Sequence, residues 1–233
     1  MNRGALTKMK KGTNLVFFLV VGYVLPLLCR LNLILDERVL VLMLAATILV
    51  LTQPQPIVSL VQARVDKDTA RFSMIWITML ALPSMIAPIA ETAYFKMSPP
   101  MVETFEAAPF SSAAVWKLGG LLVIIGGLAL RIWAIRTLGN GFTSTVRTMR
   151  ENGLVTSGPY RFVRHPSYLG AYLAFLGSAV LLQAWIGFVI AAICMGFAYA
   201  IRIPIEEKML ESNFGDRWRM YCAGSKRMIP GIW

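Results

Sequence analysis

Repeated apolar stretches of nearly membrane-spanning length are the feature of this sequence that most limits its possible folds. A helix that crosses a bilayer needs about 20 largely apolar residues, and the 233-residue chain offers six stretches near that length. They lie at roughly 14–34, 39–53, 73–95, 115–137, 167–183 and 186–203. The second and the last two are short, so we expect tilting or local thinning of the bilayer there. The sequence therefore predicts an all-α integral membrane protein with about six transmembrane helices.

Composition and charge narrow the class of protein further. Apolar residues make up 57% of the chain and charged residues 15%, whereas a soluble domain is about 45–50% apolar and about 25% charged. The formal net charge of +11 would suit a nucleic-acid partner, but the hydropathy favours a membrane, and we expect no nucleic acid. With three cysteines and a single histidine, a zinc site is improbable and no metal is predicted.

The basic residues predict how the chain crosses the membrane. If the N-terminus is cytoplasmic, nineteen of the 23 basic residues fall on the cytoplasmic side, among them Arg131 at the end of the fourth stretch. The four on the other side are Arg30, Arg38, Lys96 and Lys117. Because Lys and Arg concentrate in cytoplasmic loops, we predict a multi-pass protein with both termini cytoplasmic. Trp76 and Trp133 then lie near inner ends, and Tyr94, Trp116 and Trp185 near outer ends.

Two regions follow from this arrangement. Residues 1–114 hold about three N-terminal transmembrane helices, and residues 115–233 form a second membrane region with a polar cytoplasmic loop at 138–166 and a C-terminal tail. Prolines predict bends within the first and third stretches. Small residues at near-helical spacing in the fourth and fifth stretches predict close helix packing. They are Gly119, Gly120, Gly126 and Gly127 in the fourth, and Gly170, Ala174, Gly177 and Ser178 in the fifth.

Polar residues that could take part in binding or catalysis lie in the 138–166 loop and at the start of the tail. In the loop, Arg164-His165-Pro166 precedes an apolar stretch, and Pro166 is expected to begin the fifth helix. In the tail, Arg202 and Glu206 share a helix face if Pro204 only kinks the helix. A purely structural interpretation of that pair is a surface salt bridge that stabilises the helix by about 0.3–0.5 kcal/mol. The adjacent carboxylates Glu206 and Glu207 favour a bound cation instead.

Nucleotide-binding loops are missing from the sequence. It contains no G-x-x-x-x-G-K-[ST] segment and no G-x-G-x-x-G segment after a strand, so a P-loop or a Rossmann unit has no support.

At this point a resemblance becomes apparent. The run from Gly158 to Gly170, which includes Arg164-His165-Pro166-Ser167-Tyr168, precedes an apolar hairpin, Arg202 and the Glu206-Glu207 pair. This combination over about residues 138–230 resembles the isoprenylcysteine carboxyl methyltransferase family, whose wider group includes phospholipid N-methyltransferases. The resemblance implies a membrane-embedded methyltransferase with a cytoplasmic-side site for S-adenosylmethionine in the C-terminal half. It implies a lipophilic acceptor that enters from the bilayer, with membrane lipids as neighbours.

The resemblance also implies roles for individual residues. Arg202 matches the acceptor-side arginine and is the predicted catalytic residue. The implied cofactor positions are Thr145, Asn152, Gly153, Leu154, Val155, Tyr160, His165, Pro166, Ser167, Tyr168 and Glu206. These roles are physically coherent, since methyl transfer from a sulfonium is an in-line displacement that chiefly needs donor and acceptor to be held in alignment.

Alternatives remain open from the sequence. The acceptor could be an isoprenylcysteine-like carboxylate, which we favour, or a phospholipid amine, a thiol or another lipid. A different class of enzyme, an NADPH-dependent sterol-type reductase, shares a related C-terminal fold. A non-enzymatic membrane protein such as a small transporter is a third class, although the sequence shows no internal repeat of the kind typical of transporters. The sequence predicts no oligomeric state.

Overall fold

The computed structural model describes residues 16, 19–28, 35–52, 67–95, 113–139 and 153–229. In these ranges the regular elements are helices, and the single β-type contact is a parallel bridge between Val163 and Lys226. A short helical segment, α1, comprises a π-helical turn Val20–Val24 and an α-helical turn Leu25–Leu27. The longer helices are α2 (Glu37–Leu51), α3 (Lys67–Ala90), α4 (Ala113–Leu138), α5 (Pro166–Leu181), α6 (Trp185–Phe214) and α7 (Asp216–Gly224). The prediction of an all-α fold is confirmed for the described residues.

The helices cover the predicted apolar stretches in the described residues, but α3 begins six residues before, and α6 ends eleven residues after, the predicted bounds. In the described part of the chain, Ala114–Leu138 and Trp185–Phe214 are long and apolar enough to cross a membrane, and Pro166–Leu181 is a shorter apolar helix. Only 28% and 33% of the apolar windows of the two long helices are buried. Because a core helix of a soluble protein would be mostly buried, these outward apolar faces are typical of helices that face lipid. The count of six spans stays a prediction.

Helices α4 and α5 pack backbone against backbone. A Cβ on Gly127 would lie 2.6 Å from the Gly170 carbonyl oxygen, and a Cβ on Gly120 would lie 2.3 Å from the Leu181 nitrogen. Gly177 faces Ile124 in the same way, at 2.9 Å from its nitrogen. The two helices therefore run antiparallel at a distance that only glycine permits, as the small-residue pattern predicts.

The small-residue pattern does not apply to every glycine of α4. At Gly119 and Gly126, a Cβ would meet nothing within 4 Å. These two glycines lie on the face of α4 that points away from α5, so close packing explains only one of each adjacent pair. Helical geometry gives the reason, because neighbouring residues point about 100° apart.

Helix α6 packs along α3 on its other side. A Cβ on Gly187 would lie 2.6 Å from the Cα of Pro88. The Gly187 N–H, in the first turn of α6, donates to the Glu91 carboxylate at 2.6 Å. Glu91 thus satisfies one of the backbone donors that the N-terminus of a helix leaves unpaired. Trp116 and Trp185 meet edge-to-face at 5.0 Å, which brings the starts of α4 and α6 to one end of the bundle.

The glycine contact predicts a pronounced difference between two adjacent substitutions. We expect Gly127→Ala to lower the free energy of unfolding by about 1–3 kcal/mol, the cost of forcing a methyl group into a packed interface. Gly126→Ala is the matched control. It should be neutral or stabilising, because Ala favours a helix over Gly by up to about 1 kcal/mol. Thermal unfolding of both variants in detergent measures the difference, and equal melting temperatures would contradict the close α4–α5 contact.

Candidate active site

The start of α5 carries the central part of the site. Pro166 is the first residue of α5, as predicted, and His165 is its N-cap. The His165 side chain is buried, and so is Ser167 in the first helical turn. Pro166 suits this position because its fixed φ and missing N–H cost a helix nothing at its first residue.

The Tyr168 hydroxyl connects α5 to the two candidate charged residues of α6. It donates to the Glu206 carboxylate at 2.6 Å and accepts from the Arg202 Nε at 3.4 Å. The Arg202 Nε lies 3.6 Å from the Glu206 carboxylate, which is longer than a hydrogen bond. Helix α6 continues through Pro204 to Phe214, so Arg202 and Glu206 share a face as expected. Tyr168 therefore bridges two charges that also form a direct i,i+4 ion pair.

Aromatic rings from the start of α5 and from α6 line this polar group. The rings of His165 and Tyr168 stack with centroids 5.7 Å apart, and those of Tyr168 and Tyr199 stack at 5.0 Å. Tyr172 meets Tyr199 edge-on at 6.2 Å. Sequence analysis did not single out Tyr199 or Tyr172. Tyr199 lies three residues before Arg202 on one helix, and this spacing is the sequence signal that could have identified it.

Glu207 has a different environment from its neighbour Glu206. Its carboxylate accepts from the Arg164 Nε at 2.8 Å and from the Arg227 Nε at 2.9 Å. The His165 Nε2 lies 3.5 Å from the same carboxylate. Sequence analysis explained the two adjacent glutamates by a bound cation. For Glu207 the cations are two arginines of the chain itself.

The C-terminal tail is fixed against the loop that precedes α5. The Arg164 and His165 amides donate to the Lys226 and Arg227 carbonyls at 2.7 and 2.9 Å, and the Tyr221 hydroxyl donates to the Tyr160 carbonyl at 2.6 Å. Burial raises the pKa of Tyr221 to about 12, so this phenol remains a donor at neutral pH. The loop and the tail therefore form one wall of the site.

Arg131, which the charge pattern identifies only as a topology signal, has a structural role. It is buried in α4, with 2% of its surface exposed. Its guanidinium donates to the Thr52 hydroxyl at 2.9 Å and to the Ser167 carbonyl and hydroxyl at 3.1 and 3.0 Å. The residue connects the end of α2 to the first turn of α5.

Most of the other predicted site residues lie in the described part of the chain. Tyr160 is buried in the 3₁₀ turn Gly158–Arg161 and interacts electrostatically with Glu206. Gly153, Leu154 and Val155 are partly buried, and Gly153 adopts φ +74°. No hydrogen bond or ion pair among the described residues joins these three residues to Tyr168, Arg202 or Glu206. Thr145 and Asn152 lie outside the described residues. The described residues contain no group of three or more His, Cys, Asp or Glu that could hold a metal.

The Glu207 contacts predict that one carboxylate holds the loop and the tail together. Glu207→Gln leaves Arg164 and Arg227 without a counter-charge, so we expect a loss of about 3–5 kcal/mol of unfolding free energy. Glu211→Gln, on the same helix, is the matched control. Its carboxylate pairs with the exposed Arg219 at 2.8 Å, and losing such a surface pair should leave stability nearly unchanged. Thermal unfolding and limited proteolysis of the tail measure both. A tail that is cleaved no faster in Glu207→Gln than in Glu211→Gln would contradict this role.

Comparison with known proteins identifies what this arrangement resembles. Residues 115–217 match the family model described as phospholipid methyltransferase. Protein-S-isoprenylcysteine O-methyltransferase A of Arabidopsis thaliana is 37% identical over 115 residues, which are 48% of this chain and 58% of that protein. The corresponding protein of Schizosaccharomyces pombe is 33% identical over 121 residues, 51% of this chain and 50% of that protein. The matched part thus spans little more than half the length of these curated relatives.

The fold resembles a solved structure of the same kind. A eukaryotic intramembrane Ras methyltransferase, an isoprenylcysteine carboxyl methyltransferase, superimposes with a TM-score of 0.57 and 25% identity. The superposition covers 95% of this chain and 75% of that one. The resemblance predicted from Arg164-His165-Pro166 and the paired glutamates is therefore confirmed, and the chain is similar in both sequence and fold to the isoprenylcysteine carboxyl methyltransferases.

Proposed function

We propose that this chain is a membrane-embedded methyltransferase that uses S-adenosylmethionine to methylate the carboxylate of a lipophilic, isoprenylcysteine-like acceptor entering from the bilayer. The observation that carries the proposal is the grouping of Tyr168, Arg202 and Glu206 at the junction of α5 and α6. It provides an anion for a cationic donor and a guanidinium for an anionic acceptor within one polar group. The similarity to isoprenylcysteine methyltransferases supports the same assignment.

Two features of the described residues fit a bound cofactor. The His165 Nε2 is buried and makes no hydrogen bond within the described residues; the Glu207 carboxylate lies 3.5 Å away, and a closer ligand or water partner would lower the cost of burying this polar atom. The Glu206 side chain is 30% exposed, and among the described residues Tyr168 is its hydrogen-bond donor. The Arg202 guanidinium lies 3.6 Å from its carboxylate, and the exposed part of that carboxylate leaves room for a second cation. Tyr160, His165–Tyr168 and Glu206 would hold the cofactor, with Thr145 and Asn152–Val155 assigned by resemblance.

The residues of the chain account for the remaining requirements of the reaction. When bound, S-adenosylmethionine supplies an electrophilic methyl group on a sulfonium, which an acceptor oxygen attacks as the carbon–sulfur bond breaks. Arg202 holds the acceptor carboxylate with its planar set of donors. Its side chain is only 11% exposed, and exclusion of water strengthens that charge pairing. Glu206, whose side chain is 30% exposed, favours the cationic side of the donor. Alignment at about 3–3.5 Å is then the main contribution of the protein.

The identity of the acceptor depends on whether a base is available. A phospholipid amine must lose a proton before it attacks, whereas a carboxylate needs no base. Glu207 is paired with Arg164 and Arg227, and a carboxylate so paired is a poor proton acceptor. This supports the carboxylate. The match to a phospholipid methyltransferase model keeps the amine as the second candidate, with Glu206 as the base.

Substitutions at Arg202 and Glu206 should have different effects although the residues lie one helical turn apart. We expect Glu206→Gln to raise the dissociation constant for S-adenosylmethionine about tenfold or more, which is about 1.4 kcal/mol per decade. Arg202→Lys keeps the charge but loses the planar fork, so turnover of a prenylcysteine acceptor should collapse while donor affinity stays within a few-fold. Calorimetry and a turnover assay measure both effects.

Glu211→Gln provides the control for these variants, since it removes the same charge from an exposed site on α6 and should leave donor affinity unchanged. Retained turnover in Arg202→Lys, together with loss of activity in Glu206→Gln, would instead indicate an amine acceptor. If both variants lose only a little stability and keep their activity, the pair is structural and the proposal fails.

His165 is expected to act by holding the cofactor and not by proton transfer. Its ring stacks on Tyr168 and its backbone amide is engaged by Arg227. We predict that His165→Ala weakens binding of S-adenosylhomocysteine by about 1–3 kcal/mol, the scale of a lost buried hydrogen bond. Calorimetry with the turnover assay alongside is the measurement. Lost turnover with unchanged affinity would assign an acid–base role to His165 and overturn this one.

A further inference from the structure

The end of the bundle that carries the site is rich in basic residues, and its acids, Glu206, Glu207, Glu211 and Asp216, lie on α6 and α7. The described segments 133–139, 153–165 and 217–229 hold seven Arg and Lys residues and no Asp or Glu. Three of the seven are neutralised by carboxylates of α6 and α7, namely Arg164, Arg219 and Arg227. The other four are exposed and have no carboxylate partner among the described residues. They are Arg136, Arg161, Arg217 and Lys226.

Trp133 indicates where this end of the bundle lies relative to the surface of a membrane. Half of its surface is exposed on α4, and a tryptophan at the end of an apolar helix is typical of the membrane–water interface. Gly158 packs against it, because a Cβ there would lie 3.5 Å from the Trp133 Nε1 and 3.0 Å from the Thr137 hydroxyl. The turn Gly158–Arg161 is therefore at interfacial depth. Phe162 follows directly, with 63% of its surface exposed.

We propose that Arg136, Arg161, Phe162 and Lys226, here called the Phe162 surface, bind the anionic headgroup layer of the leaflet at this end of the molecule. The charges favour lipid phosphates, and an exposed aromatic ring between basic side chains is the composition of interfacial anchors. The surface is connected to the site, because Val163 bridges Lys226 and the Arg164 amide donates to the Lys226 carbonyl at 2.7 Å. Contact with anionic lipid thus orders the segment that leads into His165.

Hydrogen exchange of the whole chain in lipid nanodiscs tests this proposal. The native chain is compared in phosphatidylcholine alone and in phosphatidylcholine mixed with phosphatidylglycerol. We expect the amides of residues 158, 160–165 and 225–227 to exchange several-fold more slowly with the anionic lipid, and this protection to fall as salt is raised. Lys226→Gln should lower the protection gained from anionic lipid about fivefold, which is the effect of one cation near an anionic surface. Phe162→Ser should reduce it as well.

Lys117→Gln is the matched control, since it removes one positive charge from the opposite end of α4 and should keep the protection. Soluble glycerol phosphate added to phosphatidylcholine nanodiscs should not reproduce the effect, because the surface binds a lipid layer and not a free phosphate. Equal exchange of the native chain in both lipids, or an equal loss in Lys117→Gln and Lys226→Gln, would overturn the proposal. This outcome is independent of methyl transfer, since binding of S-adenosylhomocysteine is measured separately in the same nanodiscs.

Discussion

The pairing of the Glu207 carboxylate with Arg164 and Arg227 is the interaction on which the site depends. In the sequence Glu207 lies 43 residues from Arg164 and 20 from Arg227, so one carboxylate joins α6, the loop before α5 and the tail. A partly buried carboxylate is stable only while its cations stay in place. Glu206 immediately precedes Glu207 on the same helix. Its side chain points about 100° away from that of Glu207, toward Tyr168. One helical turn therefore carries both the structural pairing and the candidate binding group.

Arg131 illustrates a second way of stabilising a charge inside an apolar bundle. Its guanidinium has oxygen partners from Thr52 and Ser167, and no carboxylate within the described residues forms an ion pair with it. Buried charges need such hydrogen bonds because the apolar interior solvates them poorly. The glycine contact between α4 and α5 brings Arg131 close enough to reach Ser167. The first turn of α5 is thus held in place by the packing of small residues and by the buried Arg131. Tyr168, which donates to Glu206, lies in this turn.

The proposed chemistry and the proposed lipid contact use different surfaces of the same loop. The inner side of residues 158–168 faces Glu206, Glu207 and the tail, while Arg161 and Phe162 face outward. An enzyme that takes a lipophilic acceptor from the bilayer needs its polar site close to the membrane interface. The packing of Gly158 against Trp133 supports this proximity, because it connects the loop to the end of α4, a helix long and apolar enough to cross a membrane.

The sequence by itself determined the features that depend on residues near one another in the chain. Hydropathy and proline position gave helices that match α2 to α6, including the start of α5 at Pro166, and the small-residue spacing gave the α4–α5 contact. The resemblance selected Tyr168, Arg202 and Glu206, which the fold brings together. Only the tertiary structure decided that Glu207 binds arginines of the chain, that Arg131 is a buried connector and that Tyr199 stacks on Tyr168. These contacts join residues 20 to 79 positions apart, and no local periodicity encodes which distant partner a charged or aromatic side chain will meet.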